Sequence, residues 1–581
     1  MALNDALQEL EKVYTSEYDI SRRLVKELPE GVKILDADFE LKSEILAFDM
    51  FPNYGDRESG WGTFFGPMSV FGNIKYPPIE EITSEMIDYW NKRSIETSNP
   101  ILAGRYADLV WDLTELINGV KPSYITAEKV IKSYVEISTI NEKGVVPVYT
   151  FHKLERALDI ACSLNNEALI ESCKKAIMSF EDKVGEDKWP GLWGRSFDNL
   201  IFNSRVNLTD IEENKIIADL ENRLLRVTNN DTLDLNAADR AYKALIKYYN
   251  KKNSKDDIKR ILTLLEGAYE SIEVQSAAMQ IDAWLKTLSR HYKEYGFEED
   301  YKRILKRIET IGKEVSKELK PISIESTIEK EEIDEIVNVV VSGETRDVSF
   351  KIASFYIPRV KEAIEHINTT VRNSFMSLFS TNILDERGIV VAKLGSLDDD
   401  LEGHIVQQLS FTMKLQGMFL NLVFDKAITD YKDFKSDLTT LILTSPVIVE
   451  NQNEIIKSAV NYHFEGHYLE AVHLFVPQFE ASMRNLAELL GENILRDRKQ
   501  KGVDEYVNEY VNLTGLLNNE KLHSTLGEDI ITYFKVLYNE KVGWNIRNNI
   551  CHGISNPATI DRLISERVLH SFMCLGLIKK T

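Results

Sequence analysis

The segment WNIRNNICHG, residues 544–553, decides how the C-terminal part of this sequence is interpreted. Its centre reads R-N-x-x-x-H-G and contains Arg547, Asn548 and His552. The pattern predicts a short helix that begins near Asn545. Asn548 and His552 are four residues apart, so they lie on one face of such a helix. The long side chain of Arg547 can reach the same groove, which predicts that a guanidinium, an amide and an imidazole lie close together.

These three side chains suit the cleavage of RNA without a metal ion. An imidazole can take the proton from a ribose 2′-hydroxyl or give one to the leaving 5′-oxygen. A guanidinium offers fixed donors to a phosphate on which charge is building up. The segment therefore predicts catalytic roles for Arg547 and His552 and a positioning role for Asn548. The alternative is structural, with Arg547 capping a helix end and His552 packed in the interior.

Two neighbouring blocks extend the pattern. AVHLFVPQFEASMRNLAELLG, residues 471–491, predicts a long helix that carries Glu480 and Arg484 at a spacing of four. LTGLLNNEKLHSTLGEDIITYFKVLYNEKVG, residues 513–543, leads into the R-N-x-x-x-H-G segment. Glu480 and Arg484 can pair along their helix. Glu480 could equally orient His552 or Arg547, and the sequence leaves the structural and the catalytic role open.

In these three blocks the sequence resembles the higher eukaryotes and prokaryotes nucleotide-binding (HEPN) superfamily, and within it an uncharacterised bacterial family with a C-terminal R-N-x-x-x-H-G domain. The resemblance covers residues 451–581 and extends weakly to NPILAGRYADLVWDL, residues 99–113. It implies a C-terminal four-helix bundle, a homodimer through that domain with two motifs in one cleft, and metal-independent endoribonuclease activity that leaves a 2′,3′-cyclic phosphate. It also implies a regulated toxin or effector in bacterial stress or anti-phage defence.

Two other functions fit the same residues. One is an HEPN protein that binds a nucleotide or RNA without cleaving it. The other is a noncatalytic α-helical scaffold or antitoxin in which the motif is structural. The sequence does not identify which RNA is cut or what triggers cleavage.

The remainder of the chain predicts an all-α protein in four parts. Residues 1–82 form a helical region with a glycine- and aromatic-rich irregular loop at 51–78, and residues 83–320 form solenoid-like helical hairpins that could bind a protein partner. Residues 321–450 form a middle helical domain, and residues 451–581 form the HEPN-like domain. One β-hairpin is predicted, at ILDERGIVVAKLGS, residues 383–396, whereas the basic run LRDRKQK, residues 495–501, is predicted as a loop that could contact RNA.

Composition limits the class of protein. The net charge is −22, but residues 451–581 contain 14 basic and 16 acidic residues, so we expect RNA contacts to be local to that part. The four cysteines form no CxxC pair, which fits a reducing cytoplasm. No signal peptide or membrane span is predicted. The histidines of HFEGH, residues 463–467, do not match a zinc-protease motif, and no metal or cofactor is expected.

Overall fold

The computed structural model describes residues 2–52, 60–71, 74–142, 144–320, 327–385, 388–499 and 506–580. These residues are mostly helical, and their only sheets are four two-stranded hairpins, which confirms the all-α prediction. The chain divides into two compact units. The first unit comprises residues 1–276 and 287–301, and the second comprises residues 277–286 and 302–581. Nothing in this division tests the four predicted parts, which stay a prediction.

The first unit is a series of helical hairpins, as predicted for the solenoid-like region. Its helices are α1 (Ala2–Leu10), α2 (Glu17–Val25), α3 (Phe39–Asp49), α4 (Ser84–Glu96), α5 (Pro100–Asn118), α6 (Tyr124–Ile137), α7 (Pro147–Ser163), α8 (Glu167–Val184), α9 (Asp210–Val227), α10 (Leu235–Lys251) and α11 (Lys255–Ile272). α5 begins at an N-cap, because the Asn99 side chain accepts from the Ile101 N–H and Pro100 follows it. Successive helices from α4 to α8 pack on one another.

Two helices contain residues of both units: α12 (Ala278–Glu294) and α13 (Glu298–Glu318). The second unit continues with α14 (Lys330–Val340), α15 (Thr345–Phe355), α16 (Val360–His366), α17 (Leu401–Asp430), α18 (Phe434–Leu443), α19 (Asn453–Phe464), α20 (Tyr468–Leu489), α21 (Leu513–Leu517), α22 (Glu520–Leu526), α23 (Glu528–Tyr538), α24 (Ile546–Cys551) and α25 (Arg562–Gly576).

One hydrophobic core holds the second unit together. It extends from Val337 to Leu575, so residues on both sides of position 450 share it. α25 lies in its middle and is buried from Ser565 to Gly576. Phe479 of α20 stacks on Tyr538 with ring centroids 3.9 Å apart, and Phe534 lies 4.9 Å away. These rings fix α20 against α23, and they place the next residue, Glu480, at the edge of the core.

The hairpins are β1 (Phe51–Pro52) with β2 (Phe65–Gly66), β3 (Ser69–Phe71) with β4 (Ile74–Tyr76), β5 (Thr381–Leu384) with β6 (Val390–Leu394), and β7 (Leu495–Lys499) with β8 (Tyr506–Tyr510). The predicted hairpin, β5–β6, is confirmed, although its turn residues Glu386 and Arg387 lie outside the described residues. The prediction of a single hairpin was wrong. The expected irregular loop at 51–78 contains two short hairpins, and the expected loop at 495–501 begins with a strand because Tyr506–Tyr510 supplies its partner.

Candidate functional site

The R-N-x-x-x-H-G segment forms α24, which starts where the sequence predicts. Asn545 precedes it in the left-handed conformation, with φ of +51°, which asparagine tolerates better than most residues. Trp544 anchors this turn, because its backbone N–H donates to the Val536 carbonyl (2.8 Å) and its Nε1 donates to the Ser410 carbonyl (3.3 Å). Ile546 is buried. The start of α24 is therefore fixed to α17 and α23.

Glu480 of α20 joins two arginines. Its Oε2 accepts from Arg547 Nε at 3.0 Å, and its Oε1 accepts from Arg484 Nη2 at 3.2 Å. The side chains are only partly exposed, with 17 % for Glu480 and 24 % for Arg547. One carboxylate thus holds a residue of α20 and a residue of α24, and the structure brings Glu480, Arg484 and Arg547 together.

Asn548 completes this network. Its Oδ1 accepts from Arg547 Nη1 at 3.0 Å, and its Nδ2 donates to Asn545 Oδ1 at 2.7 Å. The Arg547 guanidinium is therefore held at two of its nitrogen atoms, one by a carboxylate and one by an amide. We call Glu480, Arg484, Arg547 and Asn548 the arginine network.

His552 lies at the other end of α24. Its backbone N–H donates to the Asn548 carbonyl at 3.1 Å, and the residue is exposed. Gly553 follows with φ of +64°, a conformation that favours glycine and turns the chain away from the helix. No hydrogen bond between described residues joins the His552 ring to the arginine network. The segment therefore presents a held guanidinium and an exposed imidazole five residues apart.

The arginine network also reaches the hairpin β7–β8. The Arg484 guanidinium lies over the Tyr510 ring, 5.2 Å from its centroid. Tyr506 and Tyr510 are 69 % and 62 % exposed. They lie on one face of β8, because they are four residues apart on a strand. These tyrosines are not among the predicted site residues, although Tyr-x-x-x-Tyr beside the basic run was the available signal.

Neither Cys551 nor His463 has the properties of a reactive group. Cys551 is exposed, but partial desolvation raises the pKa of its thiol, so a thiolate nucleophile is not favoured there. His463 is buried with Nδ1 2.8 Å from Ser565 Oγ, and burial together with the Arg562 charge lowers its pKa to about 4. Within the described ranges, no group of three or more His, Cys, Asp or Glu side chains is placed to hold a metal ion.

The first unit contains a buried ionic cluster that was not among the predicted sites. Asp108 of α5 is fully buried and pairs with Arg156 at 2.9 Å. Asp112, one turn further, accepts from the backbone N–H groups of Phe64 and Phe65. The cluster fixes part of the aromatic loop onto α5. Its signal in the sequence was charged residues at helical spacing inside the apolar stretch 99–113.

Comparison with known proteins adds one match. Residues 54–172 match a family model described as a domain of unknown function, DUF7380. This range includes both aspartates of the ionic cluster. No curated protein and no solved structure matches the chain. In the described parts of the chain, no helix is both long enough and apolar enough to cross a bilayer.

Proposed function

We propose that this protein is a metal-independent endoribonuclease of the HEPN type. One observation carries the proposal: on one short helix, Arg547 is held by a carboxylate and an amide, while His552 is exposed at the helix end. A fixed guanidinium that stays partly open to solvent suits phosphate binding, because its planar donors are already oriented.

Each residue of the motif then has a defined task. His552 takes the proton from a ribose 2′-hydroxyl, and the 2′-oxygen attacks the adjacent phosphorus. The bond from phosphorus to the 5′-oxygen breaks, and His552 gives the proton it had taken to that oxygen, which leaves a 2′,3′-cyclic phosphate and a 5′-hydroxyl. Arg547 stabilises the charged phosphorane. Asn548 and Glu480 are positioning residues, because they act through Arg547.

The hairpin β7–β8 supports RNA as the substrate. Lys499 of β7 lies opposite Tyr506 of β8, so it shares one face of the hairpin with Tyr506 and Tyr510, and all three side chains are exposed. Exposed tyrosines can stack on unpaired bases, and basic side chains can contact the backbone phosphates. Because Tyr510 contacts Arg484, a strand bound on this hairpin would lie beside the arginine network.

The resemblance supplies the biological context of the proposal. It suggests a bacterial cytoplasmic toxin or effector of stress or phage defence, with a protein partner or trigger on the helical hairpins of the first unit. That step is an analogy and not a property of the site.

A second function is favoured by the same contacts. Glu480 pairs with both arginines inside the arginine network, as a purely structural ion pair between α20 and α24 would. In that case the chain is a helical scaffold or a noncatalytic RNA-binding protein, and neither Arg547 nor His552 would be needed for any cleavage.

To test the proposal, the purified full chain is incubated with total RNA in EDTA, and the ends of the RNA fragments are analysed. We expect cleavage with cyclic-phosphate ends, lost in His552→Ala and Arg547→Ala. His523→Ala is the matched control, since His523 is another exposed histidine of the second unit. Activity that disappears in EDTA and returns with a divalent ion would contradict the proposal, as would equal loss in the control.

A further inference from the structure

α17 carries an exposed row of large apolar side chains. Phe411, Leu415, Met418 and Leu422 are 55 %, 48 %, 59 % and 43 % exposed. Their spacing of four, three and four residues places them on one face of the helix over about 17 Å. We call these four residues the apolar stripe.

The stripe is not the face that α17 turns to its own core. The buried positions of the same helix segment lie on the opposite side: Leu409, Met413, Leu420, Val423 and Phe424. A surface helix needs one apolar face, and a helix with two is normally covered on both. α17 has enough apolar surface for a second contact, and no described residue supplies it.

The helix segment that carries the stripe has an unusual composition for this chain. The protein has 92 acidic residues in 581 and a net charge of −22. Yet residues 403–424, GHIVQQLSFTMKLQGMFLNLVF, contain no Asp or Glu, and Lys414 is their only Lys or Arg. Two copies of a strongly acidic chain repel each other over most of their surfaces. They can approach most closely where carboxylates are absent.

We infer that the apolar stripe binds the apolar stripe of a second copy of this chain. The 4-3-4 spacing is the seam of a two-helix coiled coil, in which each side chain inserts between four of the facing helix. Such a seam is self-complementary about a twofold axis. Four side chains cover less than the roughly 800 Å² per partner of a standard stable interface. We therefore expect a monomer–dimer equilibrium and not an obligate dimer.

The stripe adjoins the anchor of α24. Trp544 Nε1 donates to the carbonyl of Ser410, the residue before Phe411. Pairing through the stripe would thus place the 544–553 segments of both copies at the edge of the interface. The inference does not depend on the proposed function, and it places the contact on α17, outside residues 451–581.

The test measures the mass of the full chain by analytical ultracentrifugation over a concentration series. We expect a shift from 66.7 kDa toward twice that mass in the wild type. The double variant Leu415→Glu, Met418→Glu should raise the dimer dissociation constant at least tenfold, so that it stays monomeric over the same concentrations. Ile428→Glu is the control, because Ile428 is an exposed apolar residue of the same helix off the stripe. Circular dichroism melts check that each variant is folded.

A mixing experiment tests whether the stripe of one copy binds the stripe of another. The Glu double variant and the matching Leu415→Lys, Met418→Lys variant should each be monomeric and should form a mixed dimer when combined. Higher salt should increase wild-type dimerisation, because it screens the repulsion between the acidic copies.

Three results would overturn the inference: a wild type that stays monomeric at every concentration, a dimer that survives the Glu double variant, or Glu and Lys variants that do not pair. Binding of the monomer to phosphatidylcholine vesicles, lost in the Glu double variant, would also overturn it and assign the stripe to a lipid surface.

Discussion

Glu480 is the residue on which the interpretation of the motif depends. It accepts from Arg484 and from Arg547, so neither arginine is its sole partner. A carboxylate with two partners keeps one when the other is removed. This separates the arginine network from a simple buried ion pair, in which loss of one partner leaves an uncompensated charge and costs roughly 3–5 kcal/mol.

Arg547→Ala should lower the free energy of unfolding by about 1–2 kcal/mol, the size of one charged hydrogen bond, because Arg484 still neutralises Glu480. Adding Glu480→Gln should recover part of this loss, since the two residues share one contact. The double variant should nevertheless not cleave RNA. Chemical unfolding measures the change in stability, and the cleavage assay measures the activity of each variant. Recovery of cleavage in the double variant would contradict a direct role of Arg547 at the phosphate.

His463 should make the stability depend on pH, because burial and the Arg562 charge lower its pKa to about 4. Between about pH 6.5 and 4 the unfolded chain binds a proton that the folded chain does not. The free energy of unfolding should therefore fall as the pH drops through this window, by at most about 1.4 kcal/mol per pH unit.

His463→Gln should flatten this acidic limb in denaturant titrations between pH 4 and 7. The pKa of Glu566 is raised by burial to about 7, which gives a slope of opposite sign, but Glu566 is present in both proteins. An unchanged slope in the variant would mean that protonation of His463 does not contribute to the pH dependence of the free energy of unfolding.

The hairpin β7–β8 is the element that local sequence signals predict least well. The helix α20 and the short helix α24 could be predicted, because helical spacing and a turn residue are local signals. The hairpin could not, because LRDRK is a strand only when Tyr506–Tyr510 pairs with it. Its stability lies in cross-strand contacts, such as that of Glu509 with Arg496 and Arg498, and not in local preference.

The same distinction applies to the candidate site. The sequence predicts that Glu480 and Arg484 pair, because they are four residues apart on one helix. The contact between Glu480 and Arg547, 67 residues apart, depends on how α20 packs against α24. The alternative that Glu480 orients His552 does not match the observed contacts, since its oxygens are taken by the two arginines.

The double substitution Tyr506→Ala, Tyr510→Ala should weaken binding of single-stranded RNA. Stacking contributes roughly 1–3 kcal/mol per base, so losing both rings should cost at least about tenfold in affinity. Tyr18→Ala is the control, because Tyr18 is equally exposed, at 69 %, in the first unit. Fluorescence anisotropy on a short labelled RNA, in the inactive His552→Ala background, measures the effect. Equal weakening by the Tyr18 substitution would contradict a specific role for the hairpin.

Across the protein, negative charge is concentrated outside residues 451–581. Residues 451–581 contain 14 basic and 16 acidic residues, so most of the −22 net charge belongs to residues 1–450. Any RNA contact is therefore favoured near the arginine network and disfavoured on most other surfaces. The structure divides the chain into two compact units, each with its own buried residues.

The last prediction follows from this division into two compact units. A core that excludes water in one unit should unfold cooperatively within that unit, and a chain with two such units need not unfold in one step. Phe479→Ala removes a fully buried ring from the second unit and should cost about 3–5 kcal/mol there. Phe151→Ala does the same in the first unit, where Phe151 packs on Phe180 at 4.9 Å. Differential scanning calorimetry should show each substitution lowering the melting temperature of a different transition. If both lowered one shared transition by the same amount, the chain would unfold as a single cooperative body.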